Sequence, residues 1–181
     1  IESTCDMALS ILRQALRDAL TDLYNRRFFN EQMKKAVANV LRHEGRTMSL
    51  VMVDIDWFKK VNDIYGHQAG DKVLRELAEV LKNAVRKEDT AARYGGEEFT
   101  IILPGTEIER AGEVAERIRK TVEETRIALD GDKIIKVTVS LGMSMFVNED
   151  LTSYRNEKEV ERLIARADKA LYDAKNAGRN R

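Results

Sequence analysis

The sequence predicts an α/β domain in which helices cover a sheet. Two observations carry this. Short apolar β-type runs, Ser49–Val53 and Phe99–Leu103, are separated by longer stretches whose apolar residues recur at helical spacing. The 181 residues also contain a single proline and no low-complexity linker or internal repeat, so one domain accommodates most of the chain.

Residues 1–20 read as a helix, because Cys5, Leu9, Leu12, Leu16 and Ala19 alternate spacings of four and three. That pattern suits either a short coiled coil or a helix packed on its own domain. A second helix is expected over 27–43, then a strand over 48–54 and a short helix over 57–64. The run Tyr65–Gly70 reads as a loop, and Asp71 as the start of a helix with the stripe Val73, Leu74, Leu77, Leu81 and Val85. A hairpin, 91–94 with 98–103, ends at Pro104. Ala111, Val114, Ala115, Ile118 and Val122 mark the next helix. Residues 134–146 alternate well enough for one or two strands, with Gly142 as a bulge or a site of close approach. Val160, Leu163, Ile164, Ala167, Leu171 and Ala174 give a last helix that stops near Gly178.

Two runs carry chemistry. In Gly95-Gly96-Glu97-Glu98-Phe99 the glycines would supply the positive φ angles of a tight turn, lifting two mutually repelling carboxylates to its tip. A divalent cation would explain that pairing; so would a solvated turn. The apolar strand 49–53 leads into Asp54-Ile55-Asp56, a usual placement of hard oxygen ligands for Mg²⁺. Asp56 can be explained as a helix cap, which leaves Asp54 at the end of an otherwise apolar strand.

Composition limits the alternatives. Lys plus Arg and Asp plus Glu are both 31, so no global field would hold nucleic acid or an anionic membrane. The lone Cys5 rules out an internal disulfide and fits a reducing compartment. No apolar run approaches the ~20 residues of a membrane span. His43 and His67 are not spaced as a metal pair, and no Cys/His zinc pattern occurs. The start at Ile1 suggests a piece of a longer protein, whose remainder could include sensor or membrane segments.

Taken together, these residues resemble the GGDEF family of diguanylate cyclases. Asp54-Ile55-Asp56-Trp57-Phe58-Lys59, Asn62-Asp63, Gly66-His67 and Gly70-Asp71 are similar to its first signature. Gly95–Phe99 is similar to its second, in the glutamate form. Asp18–Arg27 resembles its opening motif, with Asp22 where glycine is more usual, and Ala174–Asn180 its closing motif. The resemblance implies a five-stranded, mainly antiparallel, palm-like core over residues 20–181, with 1–19 as a linker or part of a signalling helix. It implies condensation of two GTP to cyclic di-GMP with loss of two pyrophosphates. Two Mg²⁺ ions, replaceable by Mn²⁺, would be held by Asp54, the Ile55 carbonyl and Glu98, with Glu97 assisting or orienting the attacking hydroxyl. Asn62 and Asp71 would read guanine. Lys59, Lys175, Arg179, the backbone at Phe58 and the turn at Gly95 and Gly96 would meet the triphosphate. Arg86, Asp89 and Arg117 would form an inhibitory product site.

The resemblance further implies a cytoplasmic domain, a catalytic homodimer and an N-terminal sensor or receiver partner. Each assignment has a plainer counterpart. Asp71 could be a helix cap and Asn62 an exposed polar residue. Lys175 and Arg179, which would share a side if their helix persisted, could answer the helix dipole. Arg86 and Asp89 could be a charged helix end. The competing function is an inactive domain that only binds GTP or cyclic di-GMP.

Overall fold

The computed structural model describes residues 7, 11, 14–148 and 156–181. After the helical residues Met7, Ile11 and 14–16, the elements are α1 (Arg26–Arg42), β1 (Thr47–Ile55), α2 (Phe58–Tyr65), α3 (His67–Ala84), β2 (Thr90–Arg93) and β3 (Glu98–Pro104). There follow α4 (Ile108–Glu124), β4 (Ile127–Ala128), β5 (Ile134–Ile135), β6 (Val139–Val147) and α5 (Asn156–Asn176).

Among the described residues the main sheet has four strands in the order β2-β3-β1-β6, each antiparallel to its neighbours. The expected fifth strand is not part of this sheet among the described residues, since Ile134–Ile135 pairs elsewhere; beyond β2 there is only a parallel bridge from Tyr24 to Ala92. Directly after Tyr24, Asn25 caps α1 by accepting from the Phe28 N–H at 3.0 Å. β4 and β5 form a separate two-stranded hairpin.

β1 is buried on both faces, and alternation splits its side chains between two cores. Val51, Val53 and Ile55 join Phe99 and Ile101 under α3 and α4. Met48, Leu50 and Met52 join Phe29, Phe146 and Leu163 under α1 and α5. Gly142 of β6 is a site of close approach, since a Cβ there would run into the backbone of α5 at Ala167 and Leu171.

Three expectations change. The helix over 1–20 ends at Leu16, with Ala19 in a turn; Cys5, Leu9 and Leu12 lie outside the described residues. There is no loop over 65–70. Gly66 alone, at φ 86°, joins α2 to α3, so Asp71 lies inside α3 and cannot be its cap. Gly70 is buried in that helix, where a Cβ would meet Asn62 and Phe58 of α2. The opening-motif loop keeps a left-handed residue, as Asp22 adopts φ 54°.

Candidate active site

β1 and β3 deliver carboxylates to one end of the sheet. Asp54 and Glu98 are direct cross-strand partners and so share a face. Asp54 is only 4% exposed, and Lys175 from the last turn of α5 sits 2.8 Å from its Oδ1. Burial holds the Asp54 carboxyl above the usual range, against the opposing pull of Lys175 and, more weakly, Arg179. Burial likewise raises Glu97, helped by the neighbouring charges of Asp54 and Glu98.

Glu97 and Glu98 face apart. Glu98 borders a cleft of about 390 Å³ with Met52, Tyr94 and Ile164. Glu97 and Gly96 border another, of about 460 Å³, lined by Phe58, Lys59, Asn62, His67 and Asp71 and floored by buried Leu74. The structure therefore brings Asn62, Asp71, Lys59 and Phe58 together beside Gly96 and Glu97. No side chain caps the start of α2, which leaves its N-terminal N–H groups beside this cleft to the backbone and to an anion.

Neither Gly95 nor Gly96 has positive φ, contrary to expectation. At Gly95 a Cβ would lie 2.7 Å from Glu98 Oε2, so a side chain there would make the Glu98 carboxylate turn aside. At Gly96 a Cβ would meet nothing within 4 Å; a side chain would project beside the cleft that Gly96 lines. The tip is instead held by Arg93, a residue the sequence reading passed over as part of the strand. Its Nη2 donates to the Gly96 carbonyl at 2.8 Å, and its Nη1 pairs with Asp18 at 3.1 Å.

Asp56 does not cap α2. Its carboxylate accepts from Thr138 Oγ1 and Ser140 Oγ, both at 2.7 Å, and from the Asn180 N–H at 3.1 Å. Trp57 takes the cap position at φ 59°. Lys175 and Arg179 do not share a continuous helix face, because α5 ends at Asn176. Arg179 adopts φ 63° and folds back, its N–H donating to the Ala174 carbonyl at 3.1 Å. That fold-back returns it to the electrostatic neighbourhood of Asp54.

Asp54, Glu98 and the Ile55 carbonyl offer only hard oxygens, the donor set of Mg²⁺. Among the described residues no three acidic, His or Cys side chains converge on one metal position. Two carboxylates and a carbonyl nevertheless fit Mg²⁺, which is commonly held by one or two carboxylates plus substrate phosphates and water rather than by an all-protein cage.

At the other end of β2, the Arg86 N–H donates to Asp89 Oδ2 at 2.8 Å, and burial raises the Asp89 carboxyl. Arg117 reaches across from α4 to the Ala84 carbonyl at 2.8 Å. All three residues thus gather at the α3–β2 corner. Arg86 also lines a cleft of about 690 Å³ with Arg46 and Arg110.

A four-stranded antiparallel sheet with carboxylates, cations and a polar cleft at one end places the protein among palm-like α+β domains. The family model described as "Diguanylate cyclase, GGDEF domain" matches residues 15–181, and the chain belongs to that family. Diguanylate cyclase A of Treponema denticola is 45% identical over 173 residues, covering 94% of this chain and 44% of the relative. The response regulator PleD of Caulobacter vibrioides is 41% identical over 170 residues, covering 93% of this chain and 36% of PleD. The chain thus spans less than half the length of these curated relatives. The GGDEF domain of DgcB from Caulobacter crescentus, solved in complex with c-di-GMP, superposes with a TM-score of 0.83 at 35% identity, over 92% of this chain and 94% of that one.

Proposed function

We propose that this domain is a diguanylate cyclase, joining two GTP molecules into cyclic di-GMP with release of two pyrophosphates. The observation that carries the reading is the convergence of three groups at one sheet end: the Asp54–Glu98 pair, the cations Lys175 and Arg179, and the cleft holding Asn62 and Asp71.

In this reading Asn62 and Asp71 hold guanine, whose N1–H and N2–H₂ donors suit a carboxylate and whose remaining edge suits an amide. Lys59, the α2 backbone at Phe58 and the side-chain-free Gly96 receive the phosphates. Lys175 leaves Asp54 for a phosphate oxygen when substrate enters. Mg²⁺ or Mn²⁺, held by Asp54, Glu98 and the Ile55 carbonyl, would neutralise phosphate charge and acidify the 3′-hydroxyl. Each 3′-oxygen attacks the α-phosphorus of the other nucleotide, and the bond to the pyrophosphate oxygen breaks in line. Glu97, with its raised basicity, accepts or orients the hydroxyl proton.

A two-fold symmetric product made from one GTP per domain requires two domains face to face. Residues 1–19 then act as the helical linker that brings the pair together, and a sensor or receiver domain upstream supplies the signal. Arg86, Asp89 and Arg117 form a feedback site for the product, away from the reacting end. The inactive-receptor reading lacks support, because both turn glycines and all the candidate acids are in place.

The test is incubation with GTP and Mg²⁺ followed by mass analysis. Cyclic di-GMP and pyrophosphate should appear with wild type and vanish with Glu98→Gln. A folded, dimeric wild type that forms no cyclic di-GMP contradicts the proposal. Feedback is tested separately: Arg86→Ala should raise the inhibitory product concentration about tenfold or more, and equal inhibition of both proteins removes the site.

A further inference from the structure

We propose that Trp57 is a positioning residue for Arg179, holding its guanidinium ready for a polyphosphate, and that its indole reports occupancy of that end of the site. The inference rests on the reading of Arg179 as a phosphate-binding cation.

Trp57 is placed where neither backbone preference nor burial accounts for it. A bulky residue at φ 59° is strained, and the indole remains 54% exposed. What it does contact is charge. The Arg179 guanidinium carbon lies 3.9 Å from the ring centroid, and Lys60 Nζ lies 4.1 Å from it.

Adjacent residues hold adjacent residues here. Asp56 accepts from the Asn180 N–H at 3.1 Å, while the next ring, Trp57, carries the side chain of Arg179. The tail is fixed on its other side too. Asn180 donates through Nδ2 to Glu123 at 2.8 Å and accepts from Arg119 at 2.9 Å, and the Leu141 N–H donates to the Arg181 carbonyl at 2.8 Å. Arg179 and Asn180 both adopt positive φ, at 63° and 50°, which turns the tail back onto the Asp56–Trp57 corner.

Stacking suits this purpose better than an ion pair. A guanidinium held by its face keeps its N–H edge free for a bidentate grip on phosphate oxygens. An acidic partner would occupy that edge, and Arg179 forms no ion pair among the described residues. Fixing the side chain in advance also lowers the ordering cost when a phosphate arrives.

Trp57 is the chain's only tryptophan, so its emission reports this ring and the two cations on it, and Arg179→Ala separates the Arg179 contact from that of Lys60. Inorganic triphosphate with Mg²⁺ should change wild-type emission, and the change should be absent in Arg179→Ala. With GTP as substrate, Trp57→Leu should raise KM roughly three- to tenfold with kcat held within about twofold, and Trp57→Phe should restore most of the loss. An identical emission change in Arg179→Ala, or an unaltered KM in Trp57→Leu, overturns the proposal. The triphosphate titration needs neither turnover nor a Trp57 variant. If wild type makes no cyclic di-GMP, the cyclase reading fails while the titration still decides the stack.

Discussion

Gly70→Ala separates the fold from the site. Gly70 lies inside α3 without positive φ, so alanine would help the helix by roughly 1 kcal/mol. The added methyl would run into Asn62 Oδ1, with Asn62 Cγ at 3.0 Å and Phe58 Cζ at 3.1 Å. The amide is the end of a flexible side chain and can rotate away. The Phe58 ring is buried and must shift slightly, an overpacking cost of about 1–3 kcal/mol. The net loss of stability is then about 0–2 kcal/mol, a fall in Tm of at most about 8 °C. The cost falls on recognition: if Asn62 holds guanine as proposed, displacing it removes a hydrogen bond worth about 1–3 kcal/mol, which lowers kcat/KM for GTP roughly 5- to 150-fold. Preference for GTP over ATP should narrow with it. Gly142→Ala is the contrasting control, since its methyl would meet α5 backbone that has no rotamer to turn. That variant should lose more than about 3 kcal/mol or fail to fold. Thermal melting and a GTP/ATP competition assay measure both. A Gly70→Ala enzyme with wild-type kcat/KM and nucleotide preference refutes the placement of Asn62 against the base.

Asp54→Asn should abolish turnover by orders of magnitude yet change stability by less than about 1.5 kcal/mol, because burial already disfavours the charged carboxylate; mass detection of product and urea denaturation read the two effects. Asp56→Ala should cost about 2–4 kcal/mol, since three donors lose a charged acceptor, whereas a mere cap would cost about 1 kcal/mol; the denaturant midpoint discriminates. For Asp18, burial pushes the carboxyl up, but hydrogen bonds from Thr21 and Arg93 outweigh it and leave it below the usual 3.8. Its stabilisation is therefore complete above that ordinary value and is lost as pH falls through the lowered one. Unfolding curves for Asp18→Asn should lie below wild type at neutral pH and converge with it in acid; a constant gap would remove the linkage.

The elements legible in the sequence were those with long, unbroken periodicity. Strand 48–54 and the helix stripes beginning at Val73 and Val160 stand where the patterns put them; of the two hairpin acids expected at the tip, only Glu97 is in the turn, because Glu98 already belongs to β3 and pairs with Asp54. The misread positions are ones whose partners are remote. Asp56 looks like a cap because capping is a local rule, yet its partners lie 82, 84 and 124 residues away in the chain. Glycine carries several meanings, and sequence cannot tell them apart. Gly66 is needed for its backbone angle, whereas Gly70, Gly95 and Gly142 are crowded by a neighbour. β4 and β5, at two residues each, are too short to show alternation. In the candidate site the acids and the residues that line the cleft beside Gly96 and Glu97 were legible as a set. Arg93, Trp57 and Asn180 were not, since each acts on a residue brought close by the fold.

The opposed directions of Glu97 and Glu98 make the hairpin turn an unusual loop. Most surface turns accept an inserted or deleted residue with little consequence. Here neighbouring positions face different clefts, so one residue more or less before Phe99 would exchange the two carboxylates between them or slip β3 against β1. The segment is thus intolerant of length change although its tip is open to solvent. Among variants of this chain, a one-residue insertion or deletion at the turn should disable the site, a change that ordinary surface loops accept.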